Sequence, residues 1–304
     1  MIVVAGEALI DLAPRDGLLL PLPGGSPYNV SVGLGRLGCE AAFLGGLSRD
    51  GFGHMLAERL AAEGANLDLA PRTDDPTTLA VVHLDHQARA SYRFYLDGTS
   101  APALTREQTA SLPAGAALHV SFGAVSMDTP TAGPTLVDLL ATERDHRLTS
   151  LDPNVRPSVI DDLADYAARM DALVTDVDLV KVSDEDLHLL HPDTPPLEVA
   201  RRWAGSGPVL VVVTRGPDGS IAFRPDGGHV EVSGEHVEVL DTVGAGDAFT
   251  SGLLAWLERH DHLSHGALTA IGDDALTEAL RQAVHVAAIT CTRAGSDPPR
   301  LAEL

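Results

Sequence analysis

The chain has 304 residues, of which 44% are hydrophobic, and its formal net charge is −22 at pH 7. So large an excess of acidic side chains excludes a nucleic-acid partner, because too few basic groups remain to neutralise phosphates. No apolar run reaches the length that crosses a bilayer, so we expect no membrane partner.

The apolar runs predict strands that alternate with helices. Predicted strands cover residues 2–5, 41–47, 78–84, 90–95, 118–120, 149–151, 179–182, 209–213, 220–224 and 228–232. Predicted helices cover residues 27–38, 52–63, 130–143, 159–174, 184–190, 196–204, 248–258 and 274–293. Residues 9–22 mix apolar with turn residues, and 85–89 form a polar turn of a hairpin. Such alternation implies parallel strands with ligands at their carboxyl ends.

The glycines of Gly33-Leu-Gly-Arg-Leu-Gly38 match the G-x-G-x-x-G spacing of dinucleotide-binding folds. That fingerprint must directly follow a strand and begin a helix. Here the preceding predicted strand ends at residue 5, and Pro27 is better placed to begin the helix. We therefore favour glycines that allow close packing inside a helix, with a dinucleotide oxidoreductase as the weaker alternative.

The N-terminal residues 1–14 contain Glu7 and Asp11 but no basic side chain, unlike a secretory signal. The two cysteines, Cys39 and Cys291, are too few for a disulfide framework or a zinc site. Both observations favour a cytoplasmic location. Histidines at 260, 262 and 265 suggest a metal site at first sight, but we favour a solvated loop.

Lys181 is the only lysine of the chain. Its isolation excludes a Walker A ATPase and a protein kinase, because the first needs a G-K-[ST] lysine and the second a V-A-I-K lysine. If this acidic chain binds ATP, backbone N–H groups, a few arginines and Mg²⁺ have to hold the phosphates.

The most informative stretch is Asp241-Thr-Val-Gly-Ala-Gly-Asp-Ala-Phe249, at the start of a predicted helix. Gly244, Ala245 and Gly246 let an anion approach the free N–H groups of a helix start. A carboxylate at Asp247 would repel a phosphate unless it takes a proton from the nucleophile. An ordinary acidic first turn explains Asp247 but not the glycines. We therefore interpret the stretch as an anion hole with a general base.

This motif resembles the C-terminal signature of the ribokinase-like (PfkB) carbohydrate kinases, and the resemblance extends nearly end to end. It implies one αβα sandwich over residues 1–304, with a mostly parallel central sheet. It also implies a small β-sheet lid built from about residues 12–22 and 69–100. In that family the second Asp of the motif is the catalytic base and the Gly-Ala-Gly amides form the anion hole. Asp247 and Gly244 to Gly246 hold those positions here.

The resemblance also implies a sugar site. Gly24, Gly25 and Asn29 lie where the family has its sugar-binding loop, and Asp11 matches its sugar-binding Asp after the first strand. Paired glycines let the backbone approach a polyol, and an amide offers donors and acceptors to its hydroxyls. Without the resemblance, a Gly-Gly turn and a loop carboxylate would be the ordinary interpretations.

Asp152-Pro-Asn-Val-Arg156 resembles the D-x-N-x-R element of fructokinase-like and 2-keto-3-deoxygluconate kinase-like members. At the carboxyl end of a strand, Arg156 could reach a transferring phosphate with its fork of donors. The alternative is an Asp-Pro turn with an arginine ion pair. We favour the phosphate contact.

Two further segments correspond to nucleotide and metal regions of the family. Lys181, Ser183 and Asp186 lie in its N-x-x-E region, where Ser replaces Asn and Asp replaces Glu. Since Asp is one methylene shorter than Glu, we expect Asp186 to bind Mg²⁺ through water. Ser183 is also a plausible helix N-cap. The family's nucleotide-contacting T-x-G-x-x-G turn corresponds to Thr214, Gly216 and Gly219.

The resulting hypothesis is an ATP-dependent sugar kinase that uses Mg²⁺ and converts fructose to fructose 6-phosphate. Asp241 and the region of Gly295 are expected to bind K⁺, and homodimerisation through the lid is a further expectation. Alternatives within the family are a 2-keto-3-deoxygluconate kinase, a ribokinase or a nucleoside kinase. Outside catalysis, a sugar-sensing relative is an alternative, against which Asp247 and the intact Gly-Ala-Gly count.

Overall fold

A computed structural model of the chain describes residues 1–15, 17–84 and 90–304. In chain order its strands are β1 (Ile2–Ala5), β2 (Leu9–Arg15), β3 (Leu18–Gly24), β4 (Ala41–Leu44), β5 (Leu47–Ser48), β6 (Arg72–Thr73), β7 (Leu79–Leu84), β8 (Ala90–Tyr95), β9 (Ala117–Ser121), β10 (Thr149–Asp152), β11 (Leu179–Ser183), β12 (Leu210–Thr214), β13 (Ser220–Phe223) and β14 (His229–Val232). Its α-helices are α1 (Ser26–Arg36), α2 (Gly51–Ala62), α3 (Ala132–Glu143), α4 (Leu163–Val174), α5 (Asp184–Leu190), α6 (Pro196–Ala204), α7 (Ala245–Arg259), α8 (His265–Thr269) and α9 (Asp273–Cys291).

Eight strands form a central sheet in the order β14-β13-β12-β11-β10-β9-β1-β4. In this sheet the strands β4, β1, β9, β10, β11 and β12 pair in parallel, and β13 and β14 add an antiparallel edge. Because side chains alternate along a strand, each strand contributes to both faces. Val180 and Val182 pack on the face covered by α3 to α6, and Leu179 packs on the face covered by α1, α7 and α9. The predicted αβα sandwich is confirmed.

A smaller sheet has the order β3-β2-β7-β8. The predicted antiparallel pair is confirmed, with Leu79 opposite Tyr95, while the predicted turn 85–89 lies outside the described residues. The residue pattern did not predict strands β2 and β3, because three prolines there resemble turn signals, although the family resemblance implied a sheet segment at about residues 12–22. Pro21 and Pro23 lie in β3, an edge strand, where a missing N–H is tolerated.

The predicted strand 41–47 is wrong as a single strand. Gly45 and Gly46 separate β4 from β5, which pairs with β6 in a sheet of its own. A Cβ on Gly45 would collide with the carbonyl oxygen of Gly6, and one on Gly46 with that of Ser100. The chain therefore turns where the backbone passes too close for any side chain.

The start of one predicted helix and the end of one predicted loop also need correction. The helix predicted from residue 159 begins at Leu163, because the Asp162 side chain caps it by accepting from the N–H groups of Ala164 and Asp165. The predicted solvated loop at residues 260–265 ends in the start of α8, and the His260 and His262 rings stack on Trp256.

Helix α1 begins at Ser26 with Pro27 in its first turn, as predicted. A Cβ on Gly33 would collide with the Ser251 side chain of α7, and one on Gly35 with the carbonyl oxygen of Glu63. These glycines bring helices together, which contradicts the dinucleotide alternative. Among the described helices, none is both long and apolar enough to cross a membrane.

Candidate active site

The predicted anion hole lies at the start of α7. Gly244 precedes the helix with a φ of 76°, a left-handed conformation that favours glycine. A Cβ there would also collide with Ser296. The N–H groups of Gly246 and Asp247 precede the intrahelical hydrogen-bond ladder and are available to an anion, whereas that of Ala245 donates to the Thr242 carbonyl at 3.2 Å.

Asp247, in that first turn, is held from two sides although its side chain is buried. Its Oδ1 accepts a 2.7 Å hydrogen bond from the Ser26 hydroxyl, and its Oδ2 accepts a 2.8 Å bond from the Asn29 amide. Ser26 also contacts the Ser121 hydroxyl at the end of β9, at 2.6 Å. Burial raises the pKa of Asp247 to about 6, against the lowering effect of the two hydrogen bonds. A carboxylate with this pKa is a competent base at neutral pH.

The predicted sugar-binding residues Asp11, Gly24 and Gly25 lie together beside this base. Burial, with a smaller contribution from the Asp247 charge, raises the pKa of Asp11 to about 6 against the opposing charge of Arg156. A Cβ on Gly24 would collide with the Asp11 carboxylate. Gly25 has a φ of 103°, and a Cβ there would lie 2.9 Å from the Glu7 carbonyl oxygen. The structure therefore requires both glycines.

Asn29 is brought to the site, but its amide nitrogen is bonded to Asp247. Its amide oxygen and the second N–H of the same amide are left for a ligand in this arrangement. The sequence motif predicted Asn29 as a sugar ligand and did not indicate this second partner.

Glu7 is a buried carboxyl group of the site that sequence reasoning missed. It follows β1, and its two oxygens accept from the N–H groups of Ala124 and Val125, after β9. A Cβ on Gly123 would collide with it. Burial raises its pKa to about 7. The signal was present as Gly6-Glu7 directly after a buried strand, but its partners lie more than a hundred residues away.

The Asp152–Arg156 loop begins at the carboxyl end of β10. Asp152 Oδ1 accepts from the N–H of Asn154, which has a φ of 38°, and this turn carries Arg156 into solvent. The Arg156 charge acts on Glu7 and Asp11, so the guanidinium lies on the sugar side of the site. Its only hydrogen bond among the described residues is to the neighbouring carbonyl of Val155.

Lys181, Ser183 and Asp186 differ in exposure and partners. The Lys181 ammonium is buried, 2.9 Å from Asp152 Oδ2. Ser183 is the N-cap of α5 and accepts from the N–H of Asp186, which confirms the capping interpretation. Asp186 Oδ1 accepts from the N–H of Val155 at 3.2 Å, and burial together with the Asp152 charge raises its pKa.

Thr214, Gly216 and Gly219 form the turn between β12 and β13. Thr214 pairs with Ser183 at the carboxyl edge of the sheet. Gly216 and Gly219 have φ values of 51° and 89°, and a Cβ on Gly219 would collide with the Val232 carbonyl. The turn is therefore one that only glycines fit, and it lies on the same edge as the anion hole.

Asp241 joins the two segments that the sequence analysis linked to a monovalent cation. Its Oδ1 accepts from the N–H of Val243 and its Oδ2 from the N–H of Gly295, at 3.0 and 2.8 Å. Beside it, Val239, Leu240 and Val243 expose large apolar side chains to solvent. The sequence analysis did not single out this apolar loop.

The chain matches the model of the "pfkB family carbohydrate kinase" over residues 2–302. A fructokinase of Rhizobium leguminosarum bv. trifolii is 38% identical over 285 residues, covering 91% of this chain and 85% of that protein. A solved fructokinase with bound ATP from Xylella fastidiosa has a TM-score of 0.88 at 27% identity, covering 99% of this chain and 96% of that one. A double mutant of the fructokinase from Vibrio cholerae O395, in a form with fructose, ADP and potassium ion bound, has a TM-score of 0.83 at 27% identity, covering 97% of this chain and 93% of that one. Because the family model and these relatives match nearly the whole chain, this chain belongs to the pfkB family of carbohydrate kinases.

Proposed function

We propose that the protein transfers the γ-phosphoryl group of ATP to a hydroxyl of fructose and forms fructose 6-phosphate. The observation that carries the proposal is the buried Asp247 carboxylate at the first turn of α7, held by Ser26 and Asn29. A base and an anion hole on one helix turn are the parts that such a transfer needs. The fructokinase names and ligands of the relatives support fructose as the acceptor.

In this proposal Asp247 accepts the proton of the attacking hydroxyl as the new P–O bond forms. Those N–H groups of the turn Gly244 to Gly246 that have no backbone partner donate to the transferring phosphoryl oxygens, and Arg156 swings from solvent to the same oxygens. Ser26 and Asn29 fix both carboxylate oxygens, so the base does not need to reorient during the step.

The sugar would lie between Asp11 and Asp247, against the backbone of Gly24 and Gly25. Asp11 accepts hydrogen bonds from sugar hydroxyls, and the missing side chains of the two glycines give the ring room. Strand β2 carries Asp11, so the smaller sheet would act as a lid over the sugar. Its closure would exclude water, which otherwise competes as the phosphoryl acceptor.

ATP would bind along the carboxyl edge of the sheet, with its phosphates near Thr214, Gly216, Gly219 and Ser183. The exposed side chains of Val239, Leu240 and Val243 border the anion hole and offer an apolar surface to the adenine ring. The nucleotide would thus lie between an apolar loop and the amides of α7.

Mg²⁺ fits the carboxylate chemistry of this edge. The Asp152 charge raises the cost of ionising Asp186, which a nearby cation relieves. Among the described residues no group of three side chains could hold a metal ion, so Asp186 would bind the ion through water and the ATP phosphates would supply the rest. The ion, when bound, neutralises charge on the phosphate oxygens.

A monovalent cation, K⁺, is proposed beside Asp241, because this carboxylate fixes the loops before α7 and after α9 against each other. We also propose a homodimer through the smaller sheet, where Leu18, Leu19 and Tyr95 are exposed. A location in the cytoplasm follows from the use of ATP as phosphoryl donor.

A panel of sugars with an ATP-consumption readout tests the proposal. Fructose is expected to exceed 2-keto-3-deoxygluconate in kcat/KM by at least about tenfold, or some 1.4 kcal/mol. The reason is that Leu96 and Asp97 stand where acid-sugar kinases often place an arginine, and Asp97 would repel a carboxylate. Arg93 lies on the same face of β8 as Tyr95, and its guanidinium lies over the Tyr95 ring. A preference for the acid sugar, or for a riboside, would overturn fructose as the substrate.

A further inference from the structure

Three titratable side chains interrupt the apolar face of the sheet beneath α7. His119 on β9, Asp152 on β10 and Lys181 on β11 take positions on that face, and all three are buried. Neighbours of the same alternation, such as Ala117 and Leu179, belong to the core under α7. Charged groups are costly in such surroundings unless they serve a purpose or are paired.

Lys181 lies directly under the anion hole. A Cβ built on Gly246 would be 3.1 Å from the Lys181 ammonium nitrogen, which is the one described atom outside α7 within 4 Å of that point. Burial opposes the charged form, but the surrounding carboxylates, Asp152 before Asp247 and Asp186, together outweigh it and the pKa of Lys181 is raised. The ammonium therefore stays charged. A Cβ on Gly246 would lie closer to this ammonium than to the Asp152 carboxylate.

We propose that Lys181 is an electrostatic positioning residue, a fixed positive charge beneath Gly246 that acts on the anion hole and on Asp247 without touching the nucleotide. The inference rests on the proposed function, since it assigns the lysine a role in phosphoryl transfer. The charge adds to the partial positive charge of the α7 N-terminus, where negative charge develops during transfer. Asp152 keeps the lysine protonated and in place.

The other groups that face this region are few among the described residues. The titratable and charged neighbours of Lys181 and Asp247 are His119 on β9, Asp152 on β10, Asp186 on α5, Asp11 on β2 and Arg156 after β10. His119 does not interfere near neutral pH, because burial lowers its pKa to about 4. Lys181 lowers the pKa of Asp247 and Asp152 raises it, with the lysine the larger of the two effects.

The test is the acid limb of kcat/KM, which reports the base of the free enzyme. In Lys181→Met the acid limb is expected to move to higher pH by on the order of one unit, because the loss of a nearby positive charge raises the pKa of the base. Relative to the wild type, kcat/KM of this variant then falls about tenfold more at pH values below the limb than at pH 9. In Asp152→Asn the limb is expected to move to lower pH. Arg106→Met, which removes a positive charge from an exposed pair with Asp138, is the matched control and should leave the limb in place.

Opposite shifts in Lys181→Met and Asp152→Asn would support the proposal, because a merely structural ion pair lowers stability and rate without moving the limb in opposite directions. Limbs that stay in place, or move together, would overturn it. Should Lys181→Met fail to fold, the Lys181→Met/Asp152→Asn double variant leaves no unpaired buried charge. The acid limb of the double variant should move to higher pH by less than that expected for Lys181→Met, and a limb that does not move would refute the electrostatic role of Lys181. Each profile is measured with the best sugar of the wild type, so a failure of fructose as substrate is seen separately.

Discussion

Replacement of Asp247 by Asn should separate catalysis from stability. The variant keeps the shape of the side chain, and its amide can face the Ser26 hydroxyl while its oxygen still accepts from Asn29. It has no basic oxygen for the sugar proton, so turnover should fall about 10²- to 10⁴-fold. Sugar and ATP binding should change little, because neither needs the negative charge.

The same change should stabilise the folded chain above neutral pH. Burial raises the pKa of Asp247 from 3.8 to about 6, so the ionised group disfavours the folded state above that pH. The shift corresponds to a cost of up to about 3 kcal/mol in the free energy of folding, which the uncharged Asn side chain avoids. Below pH 4 the carboxyl is protonated in both states and the advantage disappears. The gain in free energy of unfolding should therefore appear as pH rises from about 4 to 6.

Single-turnover kinetics and chemical denaturation at pH 4 and pH 8 measure the two effects in one protein. A variant that keeps more than half of the wild-type kcat would refute Asp247 as the base. A variant that is less stable than the wild type at pH 8 would refute the cost assigned to its buried charge. Ser251→Ala on the same helix is a control for packing, because its hydroxyl is buried but bonded only within α7.

Three further predictions follow from other contacts. K⁺ should activate the enzyme moderately, and equal rates in K⁺ and tetramethylammonium buffers would refute a cation beside Asp241. The wild type should lose about 3 kcal/mol of its free energy of unfolding as pH rises from about 4.5 to 7, because burial raises the pKa of Glu7 to about 7. Glu7→Gln should not show this loss, and parallel stability curves of the two proteins would contradict the prediction. Leu18→Glu with Leu19→Glu should convert a dimer to a monomer in sedimentation, with Leu189→Glu on α5 as an exposed control; a wild type that is already monomeric would exclude the interface.

The sequence predicted helix α7 and the glycine-rich turn at its start because their determinants are local. The turn from Gly244 to Gly246 and the carboxylate at Asp247 lie within one helix turn, and their spacing carries the chemistry. It could not predict that Ser26 and Ser121 support Asp247, because each arrives from a different strand end or helix start. A serine has no pattern of its own, and only the topology brings these hydroxyls together.

The same limit explains the errors in the fold. Pro21 and Pro23 were interpreted as turn signals, whereas an edge strand tolerates them, and edge position is a property of the sheet order. Gly45 and Gly46 lie in an apolar run, and the backbone that passes beside them comes from residues far along the chain. Local periodicity predicts that an element exists, but neighbours decide where it ends.

Gly33 has a practical consequence for anyone who engineers the stability of this enzyme. Exchange of a helical glycine for alanine is a standard stabilising substitution, worth up to about 1 kcal/mol where space allows. Here a methyl group would press α1 away from Ser251 on α7. Asn29 lies one turn earlier on the same side of α1, so the displacement would be passed to the hydrogen bond that holds Asp247. A routine thermostabilising mutation at this position would thus trade activity for helix propensity, through a residue that touches no substrate.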